Sequence, residues 1–306
     1  MSKHALRLTL FQFENNAALL LVDSKQLRRE LEAKAQVHDP HTGRYVGGGG
    51  TAASAAATYN AMDMYQKADY LTEKYGAWAT SLTDGEKSAI HTYTSGKFDR
   101  MNKALRTDSV EASGWGNEIK ACGAALMRGK TPHAMTVTRG VSGSSQAMAA
   151  LWEIATHQEN RGKTFTDKGF GSTEVSGIFT YGGSFRLTIH LPKGAPGGYV
   201  DSISANQGER EFLLPPYCHF IIKSAHVDAK GKQHIELEFL KCTWLEGKFM
   251  SMGRTEEKAK QAIESATDDK TQVMSPKFCM DVRGIVFDDP ELQAVWAKAL
   301  SDSEEE

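Results

Sequence analysis

The chain is poor in paired cysteines, in net charge and in long apolar runs. Cys122, Cys218, Cys242 and Cys279 are its four cysteines in 306 residues, and no two form a CxxC pair. A zinc ribbon and a disulfide-stapled scaffold are therefore not indicated, and scattered packing thiols in a reducing compartment are expected. The formal net charge is -2, so no global basic field draws the chain to nucleic acid or to membranes, although a local basic groove is compatible with it. No stretch approaches the ~20 apolar residues of a membrane span. Met1 to Phe11 lacks a basic start followed by an apolar core of about 7 residues or more, so it is a poor signal peptide. The expectation is a cytoplasmic protein, of the producing or of a target cell, without membrane contact. Gly47 to Gly50 are four consecutive glycines, but they match neither GxGxxG after a strand nor GxxxxGK[ST]. His38 and His41 flank Pro40 without ligand partners in sequence, and no His/Cys/Asp cluster has metal-ligand spacing, so no metal is expected.

What is present is an ordinary apolar content of 40% in a chain long enough for a large core. Leu6 to Phe13 alternates as a strand, and Asn16 to Ala35 has helical spacing. Val37 to Ala57, with its Gly run and Ala/Ser/Thr tract, reads as a linker or mobile loop. Helices are expected over Ala61 to Tyr75, from Thr83 (with Glu86 three residues on as a capping box) to about Gly96, over Phe98 to Leu105 and over Trp115 to Met127. Beyond Pro132 the pattern turns to strands at Ala134 to Arg139, Phe185 to Leu191, Glu211 to Leu214, His219 to His226 and His234 to Thr243, with a helix at Ser144 to His157 and a hairpin turn at Lys230-Gly231. Arg254 to Ala266 and Asp289 to Leu300 read as helices, and Ser301 to Glu306 as an acidic tail. Helices first and strands second make an α+β class. The expected organisation is an amino-terminal strand–helix element with linker (1–57), one large domain (58–288), and a carboxy-terminal helix and tail (289–306).

Chemistry is concentrated in Gly208-Glu209-Arg210-Glu211-Phe212-Leu213-Leu214-Pro215. In an extended strand, side chains at i and i+2 point the same way, so Glu209 and Glu211 are expected on one face. Alone, such a pair is equally an exposed strand edge with solvated acids. Upstream lie Thr138-Arg139-Gly140 at a strand end, Gly171-Ser172-Thr173 about thirty residues on, and Tyr93-Thr94, Phe98 and Asn102-Lys103-Ala104-Leu105-Arg106 in the helical part.

This ordered set resembles the mono-ADP-ribosyltransferase toxins of the Arg/Ser-Thr/Glu class with a Glu-x-Glu motif, over roughly Ala89 to Thr243. The resemblance implies a core of two facing, mixed or antiparallel β-sheets with flanking helices, and NAD as the substrate. It implies that Arg139 binds the dinucleotide's phosphates, that Gly140 lets the backbone approach it, and that Ser172 holds the catalytic glutamate by a hydrogen bond. Thr173, Phe179 (a stacking wall for nicotinamide) and Tyr93 would complete the cofactor site, although Phe179 and Tyr93 are equally core residues on their own terms. Glu211 would stabilise the ribosyl cation and Glu209 would orient the acceptor. An upstream Glu in Glu-x-Glu goes with protein arginine as acceptor.

Two departures from the family pattern stand out. Glu174 occupies the third position of the Ser-Thr motif, where serine is usual. Ala205-Asn206-Gln207, just before the glutamates, holds no aromatic. Transfer to RNA or DNA, NAD hydrolysis, and a non-catalytic phage structural or partner-binding module stay open as alternatives. Because such an enzyme endangers its own cell, an inhibitor (antitoxin) protein or a phage setting is a reasonable expectation.

Overall fold

The computed structural model describes residues 50–175, 185–244 and 279–302. The expected strand at Leu6 to Phe13, the helix at Asn16 to Ala35 and the helix at Arg254 to Ala266 lie outside the described residues. Contacts divide the chain into two compact units, Met1–Ala57 and Thr58–Glu306. The second unit carries the site.

The helical part begins with α1 (Gly50–Ala61). Its first eight residues were expected as linker. The tract from Thr51 is alanine-rich, however, and alanine is the strongest helix former, so the segment is helical once past the glycine run. α2 (Met64–Ser81) is opened by a capping box in which the Asp63 side chain accepts from the Gln66 N–H and the Gln66 side chain accepts from the Asp63 N–H. α3 (Asp84–Thr92) has the Thr83/Glu86 box that the sequence announces. Glu86 also receives Arg128 at 2.7 Å, which ties α3 to α5 (Gly116–Arg128). Between α3 and α4 (Phe98–Arg106) the chain makes a wide turn, Tyr93–Lys97. Gly96 ends that turn at φ 99°, a left-handed conformation that glycine adopts without steric cost.

The strands are β1 (Met135–Ser142), β2 (Thr164–Asp167), β3 (Gly171–Glu174), β4 (Phe185–Leu191), β5 (Gly198–Tyr199), β6 (Glu211–Leu214), β7 (Cys218–Val227), β8 (Gln233–Cys242), β9 (Cys279–Asp281) and β10 (Ile285–Phe287). The helix α6 (Ser145–Thr156) follows β1, and α7 (Pro290–Asp302) closes the described chain. Among the described residues the strands hydrogen-bond in the order β10-β2-β7-β8-β4-β1-β3-β6-β5, with β9 beside β1. β4–β8 and β1–β9 are parallel and the other pairs antiparallel. The arrangement is the mixed and antiparallel α+β fold expected, helices first. β4 shows the alternation by which it is recognisable: Phe185, Leu187, Ile189 and Leu191 are buried, and the residues between them are not.

One section of this strip, β3–β6–β5, joins the rest through a single residue pair, Thr138 opposite Glu174. It is buried on both faces. Phe212 and Leu214 enter the main core with Leu187, Ile189, Phe220 and Leu237. Leu213 enters a second core built from the helical part with Ile90, Tyr93, Leu105, Cys122, Leu126 and Phe170. The continuous apolar run Phe212-Leu213-Leu214 is the sequence mark of a strand buried on both sides. Among the described residues, Cys122, Cys218 and Cys242 carry free thiols.

Helix α7 is also part of the main core. Its Trp296 is fully enclosed, packs on Phe287 at 5.8 Å and donates its indole N–H to the Ile285 carbonyl at 3.1 Å. Trp296→Ala is expected to lower stability by about 3–5 kcal/mol, the cost of emptying a large aromatic site and orphaning a buried carbonyl. Denaturant unfolding measures this, and a loss below about 1 kcal/mol would show that the helix is peripheral.

Candidate active site

β6 begins at Glu211, and the register places Glu211 opposite Glu174, Phe212 opposite Thr173 and Leu213 opposite Ser172. Residues 211 and 213 share a face, as do 172 and 174, so Glu211 leans towards Ser172 on the diagonal. Ser172 Oγ donates to Glu211 Oε1 at 2.5 Å. Both side chains have 0% exposure. On the opposite face, Thr173 Oγ1 donates to the Phe212 carbonyl at 2.5 Å and adds a rung to the same strand pair.

Glu211 faces the helical core. Burial, then the charge of Glu211, pushes the Tyr93 phenol well above its ordinary value, and the same two causes act on the Cys122 thiol. Tyr93 is enclosed between Phe170 (5.1 Å) and Phe98 (6.3 Å). Asn102 links two parts of this wall: its Nδ2 donates to Tyr93 Oη at 3.2 Å and its Oδ1 accepts from the Phe170 N–H at 2.8 Å. The Tyr-Thr and Asn-x-x-Leu-Arg motifs thus meet beside the strand that carries Ser172.

Glu209 occupies a different environment. Arg210, between the two acids, has φ 54°, so the chain is not extended there and the expected common face does not form. Glu209 is half-buried in the turn ahead of the strand, while Glu211 is fully enclosed. The turn is itself held. Asp201 Oδ1 accepts from the Gly208 N–H at 2.9 Å and from the Arg210 N–H at 3.0 Å. Thr94 Oγ1 accepts from the Ala205 N–H at 2.8 Å, and the Thr94 carbonyl accepts from Asn206 Nδ2 at 2.9 Å.

Arg139 has 1% exposure rather than a surface position. Its guanidinium pairs with Asp167 at 3.1 Å. Gly140, the next residue, is buried in β1 between Arg186 of β4 and Cys279 of β9. Phe179 lies outside the described residues. The Arg139–Asp167 pair belongs to a larger group of charges. Arg106 approaches Asp281 at 3.5 Å, and Arg283 Nη2 approaches the same carboxylate at 2.5 Å. Burial raises Asp167 despite the opposing charges of Arg139 and Arg106. At Asp281 burial acts in the same direction, but the Arg283 hydrogen bond and the Arg106 charge outweigh it and hold the carboxyl at about 2. Three arginines and two aspartates thus gather close to Gly169 and Gly284, where an added Cβ would lie 3.0 Å and 2.9 Å from Arg106 nitrogens. Asp167 and Asp281 carry no motif that marks them in sequence, and Arg106 was visible only as the last letter of a helix motif. Among the described residues no group of three His, Cys, Asp or Glu side chains could hold a metal ion, and no helix is long and apolar enough to cross a membrane.

A model of the ADP-ribosyltransferase exoenzyme family matches residues 67–243. The chain belongs to this family. Every motif above, from Tyr93 to Glu211, falls inside the matched span. The transferase is 25% identical over 181 residues to the mono-ADP-ribosyltransferase C3 of a Clostridium botulinum D phage, covering 53% of this chain and 70% of that protein. Among solved structures it is similar to Plx2a, an ADP-ribosyltransferase toxin from Paenibacillus larvae, with 25% identity, a TM-score of 0.52, and coverage of 57% of this chain and 96% of that one. The Clostridium limosum C3 exoenzyme, at 18% identity and a TM-score of 0.50 over 59% of this chain and 96% of that one, shares the fold. The helix α7, with its buried Trp296, extends the transferase core beyond the matched span.

Because Asp281 ionises more readily in the folded chain than in the unfolded one, its charge contributes stability above the ordinary aspartate pKa. That contribution is lost as pH falls through about 2. A shift of this size corresponds to about 2 kcal/mol. The Asp281→Asn chain is expected to be less stable than the parent at about pH 7 and to lose less of its stability between about pH 4 and 2. Chemical denaturation at both ends measures this, and parallel curves for the two chains would contradict it.

Proposed function

We propose that the transferase moves ADP-ribose from NAD to an arginine side chain of a protein and releases nicotinamide. The observation that carries this reading is the enclosed Glu211 carboxylate, fixed by Ser172 at 2.5 Å on a strand pair locked at both faces. A carboxylate held in a water-poor site needs no reorganisation when positive charge develops on a ribose beside it, which is where electrostatic stabilisation is most effective. When bound, NAD supplies a leaving group that departs as neutral nicotinamide, so no metal or general acid is required.

The residues present fit a dinucleotide. Arg139 is a planar, permanently charged group with several donors, a chemistry suited to a diphosphate oxygen, and Asp167 orients it from one side. Arg106, 10% exposed at its side chain, adds a second cation to that task. Gly140 and Thr173 keep the strands beside the diphosphate close-packed, Tyr93 forms the inner wall, and Phe179 is proposed as the stacking surface for nicotinamide.

Glu209 is proposed to take the acceptor. Its half-buried place in a braced turn suits contact with an incoming side chain, and a guanidinium, charged at neutral pH, is positioned naturally by a carboxylate.

Biotinylated NAD incubated with a cell lysate tests the acceptor class: the label is expected to be lost on protease treatment and to survive nuclease. The converse pattern would assign the acceptor to RNA or DNA. Glu211→Gln is expected to lower both nicotinamide release and transfer by about a hundredfold or more. Glu209→Gln is expected to abolish transfer while part of the NAD hydrolysis persists. Equal loss of both activities in the Glu209 variant would remove its acceptor role.

A further inference from the structure

The sequence before the glutamates holds no aromatic, but the fold brings one from elsewhere to Arg210, the residue between them. Tyr65, in the first turn of α2, is 61% exposed. Among the described residues it is the one aromatic among the large apolar side chains left exposed. The Arg210 guanidinium lies over its ring, 4.9 Å from the centroid. Arg210 stands between Glu209 and Glu211, and its left-handed backbone is pinned by the Asp201 carboxylate. Asp69 follows Tyr65 by one turn on the same side of α2, and Asp201 accepts from the Arg210 N–H at 3.0 Å, so a carboxylate neighbours each partner of this contact.

We propose that the ring of Tyr65 is the platform on which the acceptor's guanidinium stacks next to Glu209, and that Arg210 is an internal stand-in for that guanidinium. The ring face already accommodates a guanidinium, the group that the face of a tyrosine attracts through its quadrupole. Glu209, Asp201 and Asp69 make the surroundings anionic, which suits a cationic acceptor and disfavours phosphate-rich ones. The Arg210 side chain lies over an exposed ring, a contact of small cost to break, while its backbone is fixed by Asp201. The covalent step is that of the proposed reaction: an acceptor guanidinium nitrogen forms the bond to the ribose carbon, the bond from that carbon to the nicotinamide nitrogen breaks with its electron pair leaving on nicotinamide, and the nitrogen's proton passes to Glu209 or water. Tyr65 takes no part in it and acts as a specificity-determining residue. The proposal rests on arginine as the acceptor.

Steady-state kinetics with agmatine, a small guanidine acceptor, test it. Tyr65→Ala is expected to raise KM for agmatine about three- to fivefold, with KM for NAD changed less than about twofold. Tyr65→Phe keeps the ring face and is expected to stay within about twofold of the parent for both. Arg210→Asn, with a residue that tolerates the left-handed backbone, is expected to lower KM for agmatine by freeing the ring. Parent-like KM for agmatine in Tyr65→Ala, or an increase in Arg210→Asn, would overturn the proposal while leaving the arginine reading intact. A parent chain that labels protein but does not modify agmatine would overturn the arginine reading and the proposal with it.

Discussion

The site depends on the pairing of two four-residue strands. β3 and β6 are short, sit at the end of a long strip of strands, and connect to it by one residue pair. Their strength comes from burial on both faces and from side chains that hydrogen-bond across the pair. The register decides which side chains meet. With Leu213 opposite Ser172, Glu211 falls within reach of the serine hydroxyl; a slip of one residue would turn Glu211 to the main core and leave a carboxylate among Phe212's neighbours. Ser172 also satisfies part of a group that is otherwise costly to bury. The same bond that orients the carboxylate therefore helps the strand pair to exist.

Around this pair, the other elements act as braces. The wide turn after α3 supplies Tyr93 to the wall and Thr94 to the loop ahead of the glutamates. Asn102 connects that wall to the segment leading into β3. The arginine–aspartate group lies where α4, β1, β2 and the segment after β9 meet, and joins the first and last parts of the folded unit. Removing one partner of such a buried pair leaves an uncompensated charge behind, so the members of the group depend on one another.

Much of this was legible in the sequence. The alternation in Phe185 to Leu191 and the Thr83/Glu86 box gave their elements directly, and the ordered motifs at Tyr93, Asn102, Arg139, Ser172 and Glu-x-Glu identified the family. β2 and β3 were not legible as strands: Thr164 to Asp167 and Gly171 to Glu174 have few apolar residues, and their extended state comes from partners far away in sequence. The common face expected for Glu209 and Glu211 failed at Arg210, because a backbone pinned from Asp201 overrides the local strand pattern. Asp167 and Asp281 could not be found from spacing, since their role arises only when four separate segments converge. Tyr65 was hidden for the same reason, as a helical tyrosine like any other until Arg210 is seen over its ring.

The direct test of the central claim is the rate of nicotinamide release at saturating NAD in a cycle of Ser172→Ala, Glu211→Gln and the double variant. If the serine acts by holding the glutamate, Ser172→Ala lowers kcat by about tenfold or more with KM for NAD little changed, and the double variant is no slower than Glu211→Gln alone. A parent-like kcat in Ser172→Ala, or losses that simply add in the double variant, would contradict the account.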